Sequence, residues 1–362
     1  MPASPPPASW PTPVVSSYCA SGGCPPTAVA ANLSAISAFS TLAYYVERDG
    51  SLQTCGPTYP ACTWDVGDVD KFNAQTAAST GAAPQPLVFS NSGDMVAAFR
   101  ALAKTPATIA AAAQFLAVRA ARYGYARVQL DLEPSCWDAN ASACEWPTLA
   151  DARAYAGFVD AAAAALDAAN GATVSVAAGS YPGSQCLPAE YEQCTAAGDD
   201  YEAQCVSGAW DVSTCNCCAY ITWFALEPLC GTRAAAIINM DTYQQAPVNY
   251  SAFDGAVAWY EESACAGRVA IGLLAGEVAD EDDAARVVRA AAAAARAGEI
   301  DIWANLWGAS TREAWAPALR AFLQREPVAE AGAADGDDDV RWASAPARRP
   351  LRRYGGAVRA SA

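Results

Sequence analysis

Short runs of apolar and β-branched residues recur along this chain between longer alanine-rich stretches. The runs are Pro13–Cys19, Phe39–Val46, Pro86–Ser90, Val128–Glu133, Thr173–Ala178, Ala236–Asp241, Val269–Leu274 and Ile300–Leu306. Each has the length and composition of a β-strand. The stretches between them carry helix signals. From Pro106 to Tyr123, Ile109, Leu116 and Tyr123 repeat at a spacing of seven on one face, and Gly124 stops the helix. Glu281, Asp282 and Asp283 crowd the start of another, and Arg296 and Gly298 mark its end, which suits the helix dipole and a glycine cap. Strand and helix alternating eight times predicts an α/β fold, a (β/α)8 barrel of the TIM type.

The pattern also sets the organisation. Residues 1–12 are rich in Pro, Ala and Ser and read as a disordered N-terminus, 13–327 as the barrel, and 328–362, acidic and then Arg-rich, as a disordered charged tail. Within the barrel, residues 179–231 form a cysteine-rich insertion after strand 5, an irregular loop holding seven cysteines from Cys186 to Cys230. A loop following a barrel strand lies on the C-terminal face, where barrel enzymes bind substrate.

Composition narrows the chemistry. Against 22 basic residues stand 38 acidic ones, a net charge of -16, which disfavours nucleic acid and anionic membrane as partners. No run is long and apolar enough for a transmembrane helix. Histidine is absent, so catalysis through a His base and His-ligated zinc are excluded, and carboxylates become the default acids and bases. The 14 cysteines point to an oxidising compartment, with Cys19/Cys24, Cys55/Cys62 and Cys136/Cys144 close enough for local bridges. Cys215, Cys217 and Cys218 are also candidates for zinc, although C-x-C-C lacks the usual spacing. No cofactor is expected, and the protein is expected to be a monomer. Secretion is the simpler reading of the cysteines, and the N-x-S sequons at Asn32, Asn140 and Asn249 agree with it. Met1–Pro13 has neither a basic nor an apolar segment and does not read as a signal peptide.

The run Val128–Glu133 is where chemistry concentrates. Successive side chains of a strand face opposite ways, so Gln129, Asp131 and Glu133 share one face and Val128, Leu130 and Leu132 the other. Two carboxylates turned toward an interior are expensive unless they have partners or a task. By the same parity Asn239, Asp241 and Tyr243, and Asp301, Trp303, Asn305 and Trp307, aim into the barrel mouth. Carboxylates with Tyr and Trp at strand ends suit a carbohydrate site, because indole faces stack on sugars and carboxylates cleave glycosidic bonds.

These residues resemble a known family. Tyr123–Pro134 is similar to the fourth-strand signature D-x-x-D-x-D-x-E of glycoside hydrolase family 18, the chitinases and endo-β-N-acetylglucosaminidases. Ser90–Gly93 resembles its third-strand S-x-G-G, Asp241–Gln244 its sixth-strand M-x-Y-D, and Trp303 its eighth-strand tryptophan. The resemblance implies retaining hydrolysis of β-1,4-linked N-acetylglucosamine glycans without a protein nucleophile. Glu133 would be the proton donor, Asp131 would orient the substrate's 2-acetamido group, Tyr243 would bind its carbonyl, and Trp303 would floor the site. An N-acetylglucosamine-containing oligo- or polysaccharide is the implied partner.

The chain departs from the motif at Ala126 and Gln129, which replace its first two aspartates. Gln129 can hydrogen-bond but cannot hold a proton as a carboxylate does. Asp241 and Gln244 replace Met and Asp of the sixth-strand motif. Asp241 has the parity to restore the lost charge, and Asn239 and Gln244 are read with it as substrate contacts. Trp137 either stacks a sugar or packs beside Cys136. Trp210 and Trp223 either line the cleft or pack the insertion, and Glu227 is read as structural. The segment Leu274–Glu281 is too short for a groove-deepening domain, which favours endo action. A catalytically silent carbohydrate-binding protein and an endo-β-N-acetylglucosaminidase acting on N-glycan cores stand as alternatives.

Overall fold

The computed structural model describes residues 13–19, 26–55, 68–90, 95–136, 141–243, 250–274, 281–295, 298–303 and 309–325. In chain order the strands are β1 (Val14–Cys19), β2 (Ala38–Val46), β3 (Leu52–Thr54), β4 (Ala83–Ser90), β5 (Arg127–Asp131), β6 (Thr173–Ala178), β7 (Ala236–Asn239), β8 (Val269–Leu274) and β9 (Glu299–Trp303). All but β3 pair in parallel around a ring that closes between β1 and β2. The helices are α1 (Pro26–Asn32), α2 (Val69–Thr80), α3 (Met95–Leu102), α4 (Pro106–Tyr123), α5 (Leu149–Asn170), α6 (Pro182–Gln185), α7 (Pro188–Ala197), α8 (Tyr201–Val206), α9 (Val212–Trp223), α10 (Leu226–Cys230), α11 (Tyr250–Glu261), α12 (Glu281–Ala294) and α13 (Ala309–Gln324). The eight-stranded parallel barrel expected from the sequence is what the chain forms.

Local rules account for the elements. Helix α4 starts with Pro106 after the capping box of Thr105 and Thr108 and ends at Gly124, whose φ of 74° is the left-handed cap. Its buried stripe is Ala112, Ala113, Leu116, Ala117 and Ala120, whereas Ile109 and Tyr123 of the expected face lie at its margin. Alanine lets α4 approach α5 closely, so small residues take the buried positions. Strand β4 begins at Ala83 rather than Pro86 and includes Pro84. The two prolines lie two residues apart, so both missing N–H groups fall toward the same neighbouring strand.

Parity divides two kinds of interior. Val128, Leu130 and Leu132 join Phe99, Leu116 and Phe158 in the apolar layer between barrel and helices, each such buried side chain stabilising the fold by roughly 1.5–3 kcal/mol. The inside of the barrel is strongly polar. Ser16 and Ser40 share a hydrogen bond of 2.8 Å, and the Gln85 amide donates to Gln129 Oε1 at 2.6 Å and to Ser175 Oγ at 2.8 Å. Nearer the N-terminal end, buried Arg127 pairs with Glu299. A polar layer of this kind is stable only when its groups find partners, and these seven residues do.

The region 179–231 is not the irregular loop expected from the sequence. It folds into α6–α10 around a second, cysteine-lined core that includes Trp146, Tyr201, Cys194, Cys205, Cys215, Cys217 and Cys218. The disulfides Cys136–Cys144, Cys186–Cys217, Cys194–Cys218 and Cys205–Cys215 run through this core, and Cys230–Cys265 ties the end of α10 to the chain after α11. The sequence shows no helical period there because cystines occupy the apolar positions. The local Cys136–Cys144 bridge is present, and Cys55 is disulfide-bonded, while Cys24 and Cys62 lie outside the described residues. Asn32, the first sequon, is 2% exposed and offers no accessible amide in the folded chain. Asn140 and Asn249 lie outside the described residues, as do residues 1–12 and 328–362.

Candidate active site

Strand β5 ends its pairing at Asp131, which faces Phe89 of β4, and its last partner on β6 is Val176 opposite Leu130. Glu133 therefore sits two residues beyond the ladder, at the C-terminal mouth. Gln129 and Asp131 point into the barrel as parity predicts. Asp131 is 7% exposed, and its Oδ1 has no hydrogen-bond partner. Burial holds its carboxyl well above the usual carboxylate range, and the neighbouring Glu133 charge adds to that. Burial raises Glu133 as well, while a hydrogen bond donated by the Tyr220 hydroxyl to its Oε2 acts in the opposite direction. A buried and a half-buried carboxyl so close titrate as a pair and favour retention of a proton between them.

Aromatic hydroxyls and an indole enclose this pair. Tyr243 faces Asp131, Asp301 and Glu133, and burial first, then those charges, raises its phenol well above the ordinary value. Its ring lies over Gly272 of β8, where a Cβ would come within 2.6 Å of the ring and of the Asn239 carbonyl. Only glycine leaves that space. Trp303, at the end of β9, packs on Tyr18 of β1 with ring centroids 4.4 Å apart. Tyr18 accepts a hydrogen bond from the Gln129 amide.

Three expected substrate contacts are corrected. Gln129 is fully buried and spends its amide on Gln85 and Tyr18, so it builds the barrel floor rather than a subsite. Asn239 faces away from the mouth: Ile238 is the inward residue of β7, and Asn239 donates to the Ala256 carbonyl on α11 and accepts from Asp241 N–H at 3.0 Å. The parity expected for β7 is therefore inverted within the strand itself, which ends where residues 240–242 tighten into a 3₁₀ turn. Asp241 instead accepts from Ser180 N–H at 2.8 Å, Tyr181 N–H at 2.7 Å, Ser184 Oγ at 2.5 Å and Gln185 Nε2 at 2.7 Å. It anchors the entry to α6, and among the described residues the charge that raises the Asp131 carboxyl is that of Glu133. Asp241→Ala is expected to cost about 3 kcal/mol of stability, since it strands buried backbone donors. Urea denaturation measures this, and an unchanged midpoint would rule out the anchoring role.

Trp137, Gln244, Asn305 and Trp307 lie outside the described residues. Trp223 is buried in the main core against Phe99 and Tyr155 and donates to the Leu132 carbonyl at 2.8 Å, whereas Trp210 packs against the cysteine core of the insertion. The Cys194, Cys217 and Cys218 sulfurs lie within 4.8 Å of one another, yet each belongs to a disulfide and has no thiolate to offer a metal. Sequence reasoning missed Tyr18 and Tyr220. The first was within reach, because it shares parity with Ser16. Nothing local marks the second, which arrives from 87 residues away.

Paired carboxyls, a phenol and an indole thus meet at the C-terminal mouth of the barrel. No family model and no curated protein matches the chain. Among solved structures, a chitinase from Chromobacterium violaceum aligns with a TM-score of 0.57 at 13% identity, over 86% of this chain and 98% of that one. The second catalytic domain of the Ostrinia furnacalis group II chitinase, a mutant in complex with penta-N-acetylchitooctaose, gives 0.56 at 12% identity, over 87% and 97%. A spore cortex-lytic enzyme from Bacillus megaterium gives 0.46 at 13% identity, and this chain spans 50% of its length. At these identities the likeness is one of fold: the chain has the barrel of the chitinases.

Proposed function

We propose that the protein is a retaining glycoside hydrolase that cleaves β-1,4-linked N-acetylglucosamine glycans, chitin or chito-oligosaccharides, with the substrate's own acetamide as nucleophile. The observation that carries this reading is the Asp131–Glu133 pair beside Tyr243: a buried carboxyl with an unpartnered oxygen next to one held by a phenol. In the first step Glu133 gives its proton to the glycosidic oxygen as that bond breaks, and the acetamido carbonyl oxygen bonds to the anomeric carbon. Asp131 Oδ1 accepts the acetamide N–H, and Tyr243 donates to the carbonyl oxygen. In the second step Glu133, now a carboxylate, takes a proton from water as the water oxygen attacks the anomeric carbon and opens the ring with retention. Trp303 supplies the apolar floor under the sugar. The disulfides support an oxidising, extracellular setting.

The test is release of fluorophore from a chitobioside, with the product anomer followed by NMR. Hydrolysis giving the β-anomer first supports the proposal. Chito-oligosaccharide binding without hydrolysis would instead make the protein a lectin, and cleavage confined to N-glycan cores would make it an endo-β-N-acetylglucosaminidase.

A further inference from the structure

Glu133 has no ladder hydrogen bonds to fix it, because β5 pairs only as far as Asp131. A group that must aim a proton from a coil segment needs another support, and α9 provides one. Asn216, Tyr220 and Trp223, at spacings of four and three, lie along one face of that helix. Asn216 accepts from Cys136 N–H at 2.8 Å and donates to the Cys136 carbonyl at 3.1 Å. Trp223 holds the Leu132 carbonyl at 2.8 Å. Between these two backbone clamps, the Tyr220 hydroxyl donates to Glu133 Oε2, and the Ser135 hydroxyl acts on the same phenol oxygen.

The helix itself is held hard. Asp211 caps its start, and Cys215, Cys217 and Cys218 are each bonded to a different element of the insertion. The barrel thus contributes the acid, and the insertion contributes the grip that aims it. We propose that Tyr220 is the positioning residue for the Glu133 carboxyl, and that the disulfide-stapled insertion exists in part to hold it there. This rests on the catalytic role proposed for Glu133.

The groups facing Glu133 are Asp131 from β5, Tyr220 from α9 and Tyr243 from the turn after β7. A donor to the ionised form favours it, so removal of the Tyr220 hydroxyl lets the carboxyl titrate at higher pH. Tyr220→Phe is therefore expected to lower kcat on the chitobioside by about ten-fold, to leave KM nearly unchanged, and to move the alkaline limb of the pH–rate profile upward. A residue that merely packed the insertion would change the melting temperature and not that limb. In parallel, the Glu133 carboxyl is titrated by 13C NMR in the wild type and in Tyr220→Phe, assigned through Glu133→Gln. An upward displacement of its midpoint supports the contact even if the wild type does not hydrolyse chitobioside, which would overturn only the catalytic reading. Unchanged kcat, limb and carboxyl midpoint in Tyr220→Phe would overturn this proposal.

Discussion

Glu133→Gln is expected to lower kcat on a fluorogenic chitobioside by about 10²–10⁴-fold, the range for loss of a general acid, with chito-oligosaccharide affinity retained. The amide keeps the shape and can still accept from Tyr220, but it has no proton to give. Stability should move the other way. Burial raises the Glu133 and Asp131 carboxyls in the fold. For an acid whose folded pKa is raised, the contribution to stability is complete below the unfolded value and is lost as pH rises through the folded one. Glutamine carries no such dependence. The variant should thus melt above the wild type at about pH 8, with the gap closing by about pH 4, where the free carboxyl is itself protonated. Hydrolysis at wild-type rate would remove Glu133 from the mechanism. A gap that widened toward acid would contradict the electrostatics of the pair.

The second large effect concerns the fold. Glu299→Ala is expected to lower the unfolding free energy by about 3–5 kcal/mol, because Arg127 would be left charged inside the barrel without its partner. Asp301 lies on the same inward face of β9, and neither of its oxygens has a well-directed partner. Burial and the Glu299 charge hold its carboxyl well above the ordinary range. Loss of Glu299 would let Asp301 ionise toward Arg127 and recover part of the deficit. Adding Asp301→Asn to Glu299→Ala should therefore cost more than the sum of the two single changes. Denaturant titration of the double-mutant cycle measures that coupling, and strict additivity would show that Asp301 gives Arg127 no support. The sequence gives no local sign of this pair: β5 opens with Arg127 and β9 with Glu299, 172 residues apart, and only closure of the ring joins them.

The strands and their order were legible because a barrel repeats one simple signal, an apolar run bounded by turns. Gln129 and Asp131 were legible in their direction for the same reason, since β5 keeps its period of two through Asp131. Asn239 and Asp241 were not. Their expected facing took the polar residues of β7 as the inward set, whereas Ile238 faces the barrel interior and Asn239 the surrounding helices, and the strand ends there in a 3₁₀ turn. Tyr243 still reaches the mouth, because the turn redirects it over Gly272. The insertion was visible as a cluster of cysteines but not as helices, since a cystine core carries no ordinary hydrophobic stripe.

By itself the sequence determined the eight-fold alternation and placed two carboxyls at the end of one strand, because backbone sterics and side-chain period act over a few residues. Only the tertiary structure decided what surrounds those carboxyls. It gave Gln129 to Gln85 and Tyr18, took Asp241 out of the mouth to anchor α6, and brought Tyr220 onto Glu133. Each of those contacts joins segments far apart in the chain. Their partners are chosen by closure of the barrel and by the disulfides that fold the insertion back over it, neither of which leaves a local trace.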